Sequence, residues 1–265
     1  MNITTIIPIH KFDEKIGELL GKALESIKKQ EGVDELPKVV IVYTPEIEAE
    51  LKATIKDVKD LNILHVINKG GADYQTQVNL AVKSLETDYF SVLEFDDEYS
   101  NAFFKNAMKY INSYPEVDVF LTMMIEVNEK GQGIKLTNET VWAQQFVGEN
   151  GELGYLNLNA LKQYTDFKLS GAIIKKSEFE NLGGYKTNIK LTFMYEFLLR
   201  ALHNTCKIFS IPKIAYKHLA VREGSLFDEY QKNMSMEERK FWFDTAGKES
   251  NFTTDREIDT SWLKK

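Results

Sequence analysis

Short apolar runs alternate with amphipathic stretches along the first hundred residues of the chain. Four runs rich in Ile, Val and aromatic residues predict buried strands, at residues 4–9, 38–43, 61–67 and from 89 onward. Apolar residues at helical spacing predict the helices between them, at residues 15–29, 45–58 and 74–85. This alternation favours a parallel sheet with right-handed crossovers, so the first half is predicted to be a Rossmann-like α/β unit.

The second half has a less regular pattern. It predicts helices at residues 102–114, 177–182, 192–202 and 235–246, and strands at 117–127, 169–174, 207–211 and 214–219. Residues 131–166 show little periodicity but contain four aromatic residues, Trp142, Phe146, Tyr155 and Tyr164. Such a segment is typical of a loop that covers a substrate, although a small aromatic satellite of the core would look the same.

The fourth predicted strand ends in a cluster of acids. Residues 89–93 are mainly apolar, and four of the next five residues are acids, Glu94, Asp96, Asp97 and Glu98. Open α/β sheets bind ligands at the carboxyl ends of their strands, and carboxylates crowded there repel one another unless a cation lies among them. The sequence therefore predicts a Mg²⁺ or Mn²⁺ site. The alternative is a solvated acidic turn after a strand.

Composition and charge limit the classes of protein to which this chain can belong. Of the 265 residues, 43% are hydrophobic and 28% charged, which is ordinary for a globular protein and argues against disorder. The net charge of -7 gives no electrostatic footprint for general nucleic-acid or membrane binding. The single cysteine, Cys206, suits a reducing compartment. With no leader pattern and no apolar run near the ~20 residues that span a bilayer, we expect a cytoplasmic protein (host cytoplasm if viral) without stable membrane insertion.

Two phosphate-binding motifs are missing from the sequence. No Gly-x-Gly-x-x-Gly follows the first strand, and no Gly-x-x-x-x-Gly-Lys-Ser/Thr loop occurs. Dinucleotide-dependent dehydrogenases and common nucleotide hydrolases are therefore disfavoured. A nucleotidyltransferase shares the α/β layout and a carboxylate-held metal, but it needs a Gly/Arg/Lys-rich phosphate loop, which residues 10–13 do not provide.

Four segments of the chain resemble the GT-A glycosyltransferases of family 2. Residues 5–10 look like that family's opening strand with its proline, and residues 94–97 look like its Leu-Asp-x-Asp-Asp metal motif with Glu in place of the first Asp. Asn79 occupies the position of the Asn in the family's Ala-Arg-Asn helix, with Val78 in place of the Arg. Residues 171–200 look like its acceptor-side signature. The order and spacings agree over about residues 3–226.

This resemblance implies an α/β GT-A fold in a single domain, a Rossmann-like nucleotide-binding half with a mainly parallel sheet fused to an acceptor-binding half. The nucleotide-sugar half would cover residues 1–100, the acceptor half 101–226, and a C-terminal helix and tail 227–265. The implied ligands are Mn²⁺ or Mg²⁺ and a nucleotide diphosphate sugar as donor. A UDP-sugar is expected, but Tyr43 and Thr44 follow the second strand where the family has acids that read uracil, so the base stays open.

The resemblance also assigns residues to the site. The implied metal ligands are Asp96, Glu94 and His218, and Asp97, expected to ligate or to orient, is grouped with the catalytic residues. The residues expected to contact the donor are Pro8, Ile9, His10, Tyr43, Asn79, Glu94, Asp96 and Arg222. The alternatives are a plain strand-end histidine for His218 and exposed charges for Lys217 and Arg222.

The catalytic base is the main departure from the family. Met194 occupies the position of the usual acid near the start of the Leu-x-x-Arg helix. Glu196 is the expected base if that helix begins later or its register shifts, because two residues turn a helical side chain by about 200°. The alternative for Glu196 is an ion pair with Arg200 at i+4. Asp166 and Glu152 are further candidates for the base.

The predicted function is a metal-dependent inverting glycosyltransferase that moves a sugar, of unspecified identity, from a nucleotide diphosphate sugar to an acceptor hydroxyl. A glycan or small molecule is the expected acceptor, and the net charge of -7 disfavours a modified phage DNA base without excluding it. The alternative is a non-catalytic nucleotide-sugar or glycan-binding protein on the same fold, in which Met194 marks a loss of chemistry. The retained acids argue against that alternative, because unpaired carboxylates are costly to keep without a metal. A nucleotidyltransferase ranks below both.

Overall fold

The computed structural model describes residues 1–139 and 154–253. Its strands are β1 (Ile3–Ile9), β2 (Lys38–Tyr43), β3 (Ile63–Ile67), β4 (Tyr89–Val92), β5 (Glu98–Tyr99), β6 (Val119–Asn128), β7 (Gly133–Thr137), β8 (Ile173–Lys175) and β9 (Ile208–Val221). Its helices are α1 (Glu14–Lys28), α2 (Glu48–Ile55), α3 (Tyr74–Lys83), α4 (Phe103–Ser113), α5 (Leu158–Gln163), α6 (Lys176–Asn181), α7 (Phe193–His203), α8 (Leu226–Asn233) and α9 (Met236–Ala246).

Within these residues the nine strands form one sheet. The order is β3-β2-β1-β4-β8-β6-β9-β5, and β7 pairs with β6. β3, β2, β1 and β4 are parallel to one another, as the alternation of strands and helices predicts. β8 is antiparallel to both of its neighbours, β4 and β6, whereas β6 and β9 are parallel. The predicted parallel half is confirmed, and the second half is a mixed sheet.

Helices cover both faces of the sheet. On one face α1, α2 and α4 contribute buried residues such as Leu20, Leu51 and Phe104. On the other face α3, α6, α7 and α9 contribute a second apolar core, which we call the α3/α7 core. Along β1, Ile6 joins one core and Ile7 the other, because successive strand residues point to opposite faces. This two-sided packing is the α/β architecture that the sequence predicts.

Several predicted boundaries differ from the structure. The two short strands predicted at 207–211 and 214–219 are one continuous strand, β9. Pro8 does not end β1, which runs to Ile9. The strand continues because β4 pairs with β1 only as far as Ile6, so the missing N–H of Pro8 leaves no ladder hydrogen bond unmade. The helix predicted at 45–58 divides into a short 3₁₀ turn and α2, and α8 is not predicted at all.

The aromatic segment at residues 131–166 is only partly described. Tyr155 packs on Phe209 with ring centroids 5.1 Å apart, and Tyr164 packs at the border of the α3/α7 core. These two residues are therefore aromatic satellites of the core. Trp142 and Phe146 lie outside the described residues.

Gly171 lets the ring of Tyr216 approach the backbone closely, next to the carboxyl edge of the sheet. Its φ of +67° is in the left-handed region, and a Cβ there would lie 2.2 Å from Cδ2 of Tyr216. Gly171→Ala is therefore expected to lower the free energy of unfolding by about 2–5 kcal/mol, from left-handed backbone and overpacking together. Chemical denaturation measures the loss.

Gly21→Ala in α1 is the matched control for this substitution. A Cβ at Gly21 meets nothing within 4 Å, so the alanine is expected to stabilise the helix by about 0.5–1 kcal/mol. Equal unfolding midpoints for the two variants would contradict the close contact between Gly171 and Tyr216.

Candidate functional site

Glu94 lies just beyond β4, at the carboxyl end of the parallel strands. Its backbone N–H donates to the hydroxyl of Tyr216 at 3.1 Å, and its carboxylate accepts from the hydroxyl of Ser170 at 2.5 Å. Tyr216 is on β9, and Ser170 precedes β8, which is the neighbour of β4 in the sheet. Two elements distant in the sequence therefore hold Glu94 in place.

Asp97 is held against β9. Its carboxylate accepts from the backbone N–H of Leu219 at 2.8 Å and lies 2.9 Å from Nδ1 of His218. The antiparallel pairing of β5 with β9 sets Glu98 opposite Lys217. This register brings Asp97, which precedes Glu98, beside His218, which follows Lys217. The side chain of Asp97 is fully buried there.

Among the described residues, Glu94, Asp97 and His218 form the group that could hold a metal ion. One ligand atom from each lies within 4.8 Å of the other two. Carboxylates suit Mg²⁺ and Mn²⁺, and an imidazole beside them is compatible with a transition metal such as Mn²⁺. The donor set therefore fits a divalent cation, with Asp97 in the place that the family resemblance gives to Asp96.

Asp96 has a different partner. Nε of Arg222 donates to its carboxylate at 2.7 Å, and both side chains are nearly buried. The guanidinium of Arg222 also lies over the ring of Phe95, 5.3 Å from the centroid, and the ring of His10 lies 5.8 Å from that of Phe95. The structure thus differs from the predicted ligand set, because an arginine neutralises Asp96.

Glu94, Asp96, Asp97 and His218 together form what we call the acidic edge of the sheet. Burial and the charges of neighbouring groups shift pKa values within it. Burial, and then the charge of Asp97, raise the pKa of Glu94 to about 7. Burial lowers the pKa of His218, but the charge of Asp97 and its hydrogen bond outweigh burial and raise the pKa to about 9. Burial and Asp97 also raise the pKa of Asp96, against the lowering effect of Arg222. Near neutral pH the group therefore holds protons that a cation would displace.

The structure brings His10, Glu94, Asp96 and Arg222, all predicted donor contacts, to this edge. Pro8 and Ile9 belong to β1. The backbone N–H of Ile9, at the end of that strand, donates to the side chain of Gln77 at 3.1 Å.

Two other predicted donor contacts have protein partners instead. Tyr43 is fully buried at the end of β2, with its hydroxyl 3.3 Å from Nδ1 of His65. Asn79 on α3 donates to the carbonyl of Tyr185 at 2.7 Å and accepts from its N–H at 2.9 Å. In this arrangement Asn79 fixes the turn before Tyr185, with both the nitrogen and the oxygen of its amide bonded to the backbone.

Glu196 is fully buried within α7. Its carboxylate accepts from Nε and Nη2 of Arg200 at 2.8 and 3.1 Å, and Nζ of Lys186 lies 3.4 Å away. The i+4 ion pair, the alternative for Glu196, is the arrangement in the structure. A carboxylate without exposed surface and with two cationic partners is a poor acceptor for a substrate proton, so the geometry does not support the predicted role as base.

Position 194 and one further candidate for the base, Asp166, lie within the described residues. Met194, in the position of the usual acid, packs partly buried against the α3/α7 core. Asp166 is 65% exposed and forms an ion pair with Lys135 at 2.5 Å. Glu152 lies outside the described residues.

Ser170 and Tyr216 are site residues that the sequence interpretation does not identify. Ser170 directly precedes Gly171, and Tyr216 lies two residues before His218 on the same strand. Both adjoin residues that the family resemblance singles out. A lone serine or tyrosine forms no motif of its own. The closeness of Ser170 to Gly171 and of Tyr216 to His218 in the sequence is therefore the only sign that could have identified them.

A cleft of about 320 Å³ opens beside Asp96, between α1 and β9. Two lysines that line the cleft pair with glutamates that also line it. Lys217 donates to Glu98 at 2.8 Å, and Lys15 donates to Glu129 at 3.1 Å. Lys217 therefore matches its alternative assignment as a surface charge.

Comparison with known proteins rests on the fold. No protein-family model and no curated protein matches the sequence. The chain is similar to S. aureus TarS 1-349 in complex with UDP-GlcNAc, with a TM-score of 0.69 and 17% identity over 99% of this chain and 69% of that chain. The complex of the same protein with UDP gives a TM-score of 0.63 and 17% identity over 93% of this chain and 81% of that chain.

A third similar structure comes from another organism. The mannosyltransferase PcManGT from Pyrobaculum calidifontis, in complex with GDP-Man and Mn²⁺, gives a TM-score of 0.60 and 16% identity over 84% of this chain and 58% of that chain. Across residues 1–139 and 154–253, no helix combines the length and the apolar character needed to cross a bilayer. At these identities the likeness establishes architecture alone: the chain has a GT-A-type fold.

Proposed function

We propose that this protein is a metal-dependent glycosyltransferase that takes a sugar from a nucleotide diphosphate sugar. The observation that carries the proposal is the group of Glu94, Asp97 and His218, whose ligand atoms lie within 4.8 Å of one another at the carboxyl edge of a GT-A sheet. Open α/β folds bind ligands at this edge. The complexes of similar structures with UDP-GlcNAc and with GDP-Man and Mn²⁺ support the same class of ligand.

Each residue of the group has a role in this proposal. Glu94, Asp97 and His218 would hold Mn²⁺ or Mg²⁺, which supplies positive charge to the diphosphate as it leaves. Asp97 also orients His218 through the 2.9 Å contact. Arg222, beside Asp96 at the same edge, is the residue proposed to contact the donor.

The transfer itself is proposed to be a single displacement. The acceptor hydroxyl attacks the anomeric carbon on the face opposite the diphosphate, which inverts the configuration. A glycan or small molecule is the proposed acceptor, and a UDP-sugar the proposed donor. Glu196 is assigned to the ion pair with Arg200 and not to proton transfer, because it is fully buried.

Two observations favour a second candidate, a binding protein without turnover. Position 194 carries Met where the family has its acid, and Glu196 is bound to Arg200. Such a protein would bind a nucleotide sugar or glycan through the same acidic edge and release no nucleoside diphosphate.

Thermal melting with a panel of nucleotide diphosphates and their sugars, with and without Mn²⁺, tests both candidates. A ligand at a hundred times its Kd stabilises the fold by about 2.7 kcal/mol, which is well within detection. Stabilisation by one nucleotide only in the presence of Mn²⁺, together with release of nucleoside diphosphate from its sugar, is the result expected for the transferase. Binding without release would favour the second candidate. No shift with any nucleotide would sink the transferase and the nucleotide-sugar-binding form of the second candidate.

A further inference from the structure

We propose that Lys168 binds the diphosphate of the donor and stabilises it as the leaving group. The inference rests on the proposed function, since it presupposes a nucleotide diphosphate at the acidic edge. The sequence interpretation assigns no role to Lys168, which lies in the irregular stretch before β8.

The backbone of Lys168 is clamped next to the site. Asn138 donates to its carbonyl at 2.9 Å and accepts from its N–H at 2.8 Å. Asn138 adopts a φ of +63°, in the left-handed region that residues other than glycine seldom occupy. Two residues beyond Lys168, Ser170 donates to Glu94. The segment 168–170 therefore connects this clamp directly to the acidic edge.

The side chain of Lys168 lies on the same face of the sheet as His218. Its Nζ donates to Glu126 at 2.7 Å. Glu126 on β6 is in register with His218 on β9, and register partners on parallel strands point to the same face. The ammonium group of Lys168 therefore lies on the face of the sheet that carries His218, one of the proposed metal ligands.

Lys168 retains the capacity to bind an anion. Its side chain is 30% exposed, and an ammonium has three N–H donors, of which one is used by Glu126 within residues 1–139 and 154–253. Glu126 is buried and also accepts from Thr137 at 2.5 Å, with Lys135 3.6 Å away. Thr137 and Lys135, which also pairs with Asp166, therefore share the compensation of Glu126 with Lys168.

A fixed ammonium at this place suits the charge that develops during transfer. The acceptor oxygen bonds to the anomeric carbon and releases its proton to a base. The bond from that carbon to the β-phosphate oxygen breaks with its electron pair, so the nucleoside diphosphate leaves with one more negative charge. A donor aimed at this developing charge stabilises the transition state, and lysine acts on phosphates as a compact point charge.

The test is titration of UDP and GDP, and of the matching nucleosides, each with Mn²⁺, into wild type, Lys168→Met and Lys135→Met. Lys135 is the matched control, since it approaches the same carboxylate of Glu126 from β7. We expect Lys168→Met to bind the preferred diphosphate about 10–100-fold more weakly, the usual worth of a hydrogen bond to a charged group. Nucleoside affinity should not change, and Lys135→Met should bind like wild type.

Three outcomes would overturn the assignment. One is wild-type diphosphate affinity in Lys168→Met, and another is an equal loss in both lysine variants; either leaves the proposed function standing if the wild type binds. Failure of the wild type to bind any diphosphate would overturn the proposed function as well. If Lys168→Met does not fold, Glu126→Gln/Lys168→Met, which removes both charges, takes its place in the same titration.

Discussion

Asp97→Asn is expected to weaken Mn²⁺ binding at least about 100-fold, because loss of a partner behind a metal ligand already costs about 10–100-fold. The ligand atoms of Asp97, Glu94 and His218 lie within 4.8 Å of one another, and Asp97 also fixes His218 at 2.9 Å. Asparagine offers the cation one neutral oxygen and gives the imidazole no charge. The Mn²⁺-dependent part of nucleotide stabilisation should therefore disappear from the melting curve.

Asp96→Asn is the matched control for Asp97→Asn. It changes the neighbouring acid in the same motif, but that carboxylate is bound to Arg222 at 2.7 Å. We expect it to reduce Mn²⁺ binding far less than Asp97→Asn does. The reverse ranking would show that the cation is held by the residue that the family resemblance indicates and that the Asp96–Arg222 pair opens when the cation binds.

The difference between Asp96 and Asp97 illustrates what a motif leaves open. The acidic run after β4 predicts that carboxylates gather at this edge of the sheet, and the structure places them there. Which carboxylate meets His218 depends on the register of β5 against β9, set by the pairing of Glu98 with Lys217. Those residues are far apart in the sequence, and no local pattern encodes the register.

The fold was predictable where the chain repeats one local rule. Strands and helices alternate through β4, and this half of the sheet is parallel. The insertion of β8 between β4 and β6 was not predictable. It rests on three strand residues, Ile173–Lys175, whose short apolar run gives no strand direction. The contacts of Lys135 and Lys168 with Glu126 were not predictable for a similar reason. The two lysines reach Glu126 only after β7 and the segment before β8 fold onto β6.

Helical geometry did anticipate the arrangement around Glu196. A side chain two residues from Met194 points about 200° around the helix, and the structure buries Glu196 fully while Met194 keeps part of its surface. The i+4 spacing to Arg200 offers the ion pair. Choosing between an ion pair and a base required the tertiary contacts, because Lys186 and the backbone turn that completes the pair come from outside α7.

Arg200→Met is expected to lower the free energy of unfolding by about 3–5 kcal/mol, since it removes the bidentate partner of the buried Glu196 carboxylate and leaves, among the described residues, only Lys186, 3.4 Å away. Arg200 and Glu196 are both fully buried. Arg200 also donates to the carbonyls of Leu182 and Gly184, so the methionine leaves these acceptors unsatisfied as well. Urea denaturation followed by circular dichroism measures the change.

Glu196→Met/Arg200→Met is the control that isolates the charge. Removing both ions takes the Glu196 carboxylate out of the core together with Arg200, and Lys186, which loses Glu196, keeps its hydrogen bond to the carbonyl of Asn251. The double variant should therefore recover part of the stability that Arg200→Met loses. The carbonyls of Leu182 and Gly184 still lack their donor, and the recovery is therefore expected to be incomplete. A double variant less stable than Arg200→Met would contradict a pair whose effect is mainly electrostatic.

Glu196→Gln then separates the structural role from the catalytic one. Glutamine keeps the shape of the side chain but not its charge, so stability should fall while turnover per folded molecule stays near that of wild type. A general base is worth about 10²–10⁴-fold in rate. A loss of that size in a variant that melts like wild type would make Glu196 the base and would mean that its pairing with Arg200 opens in the working enzyme. Near-wild-type turnover in a destabilised variant would fix Glu196 as part of the scaffold, and the base would then have to be sought elsewhere in residues 101–226.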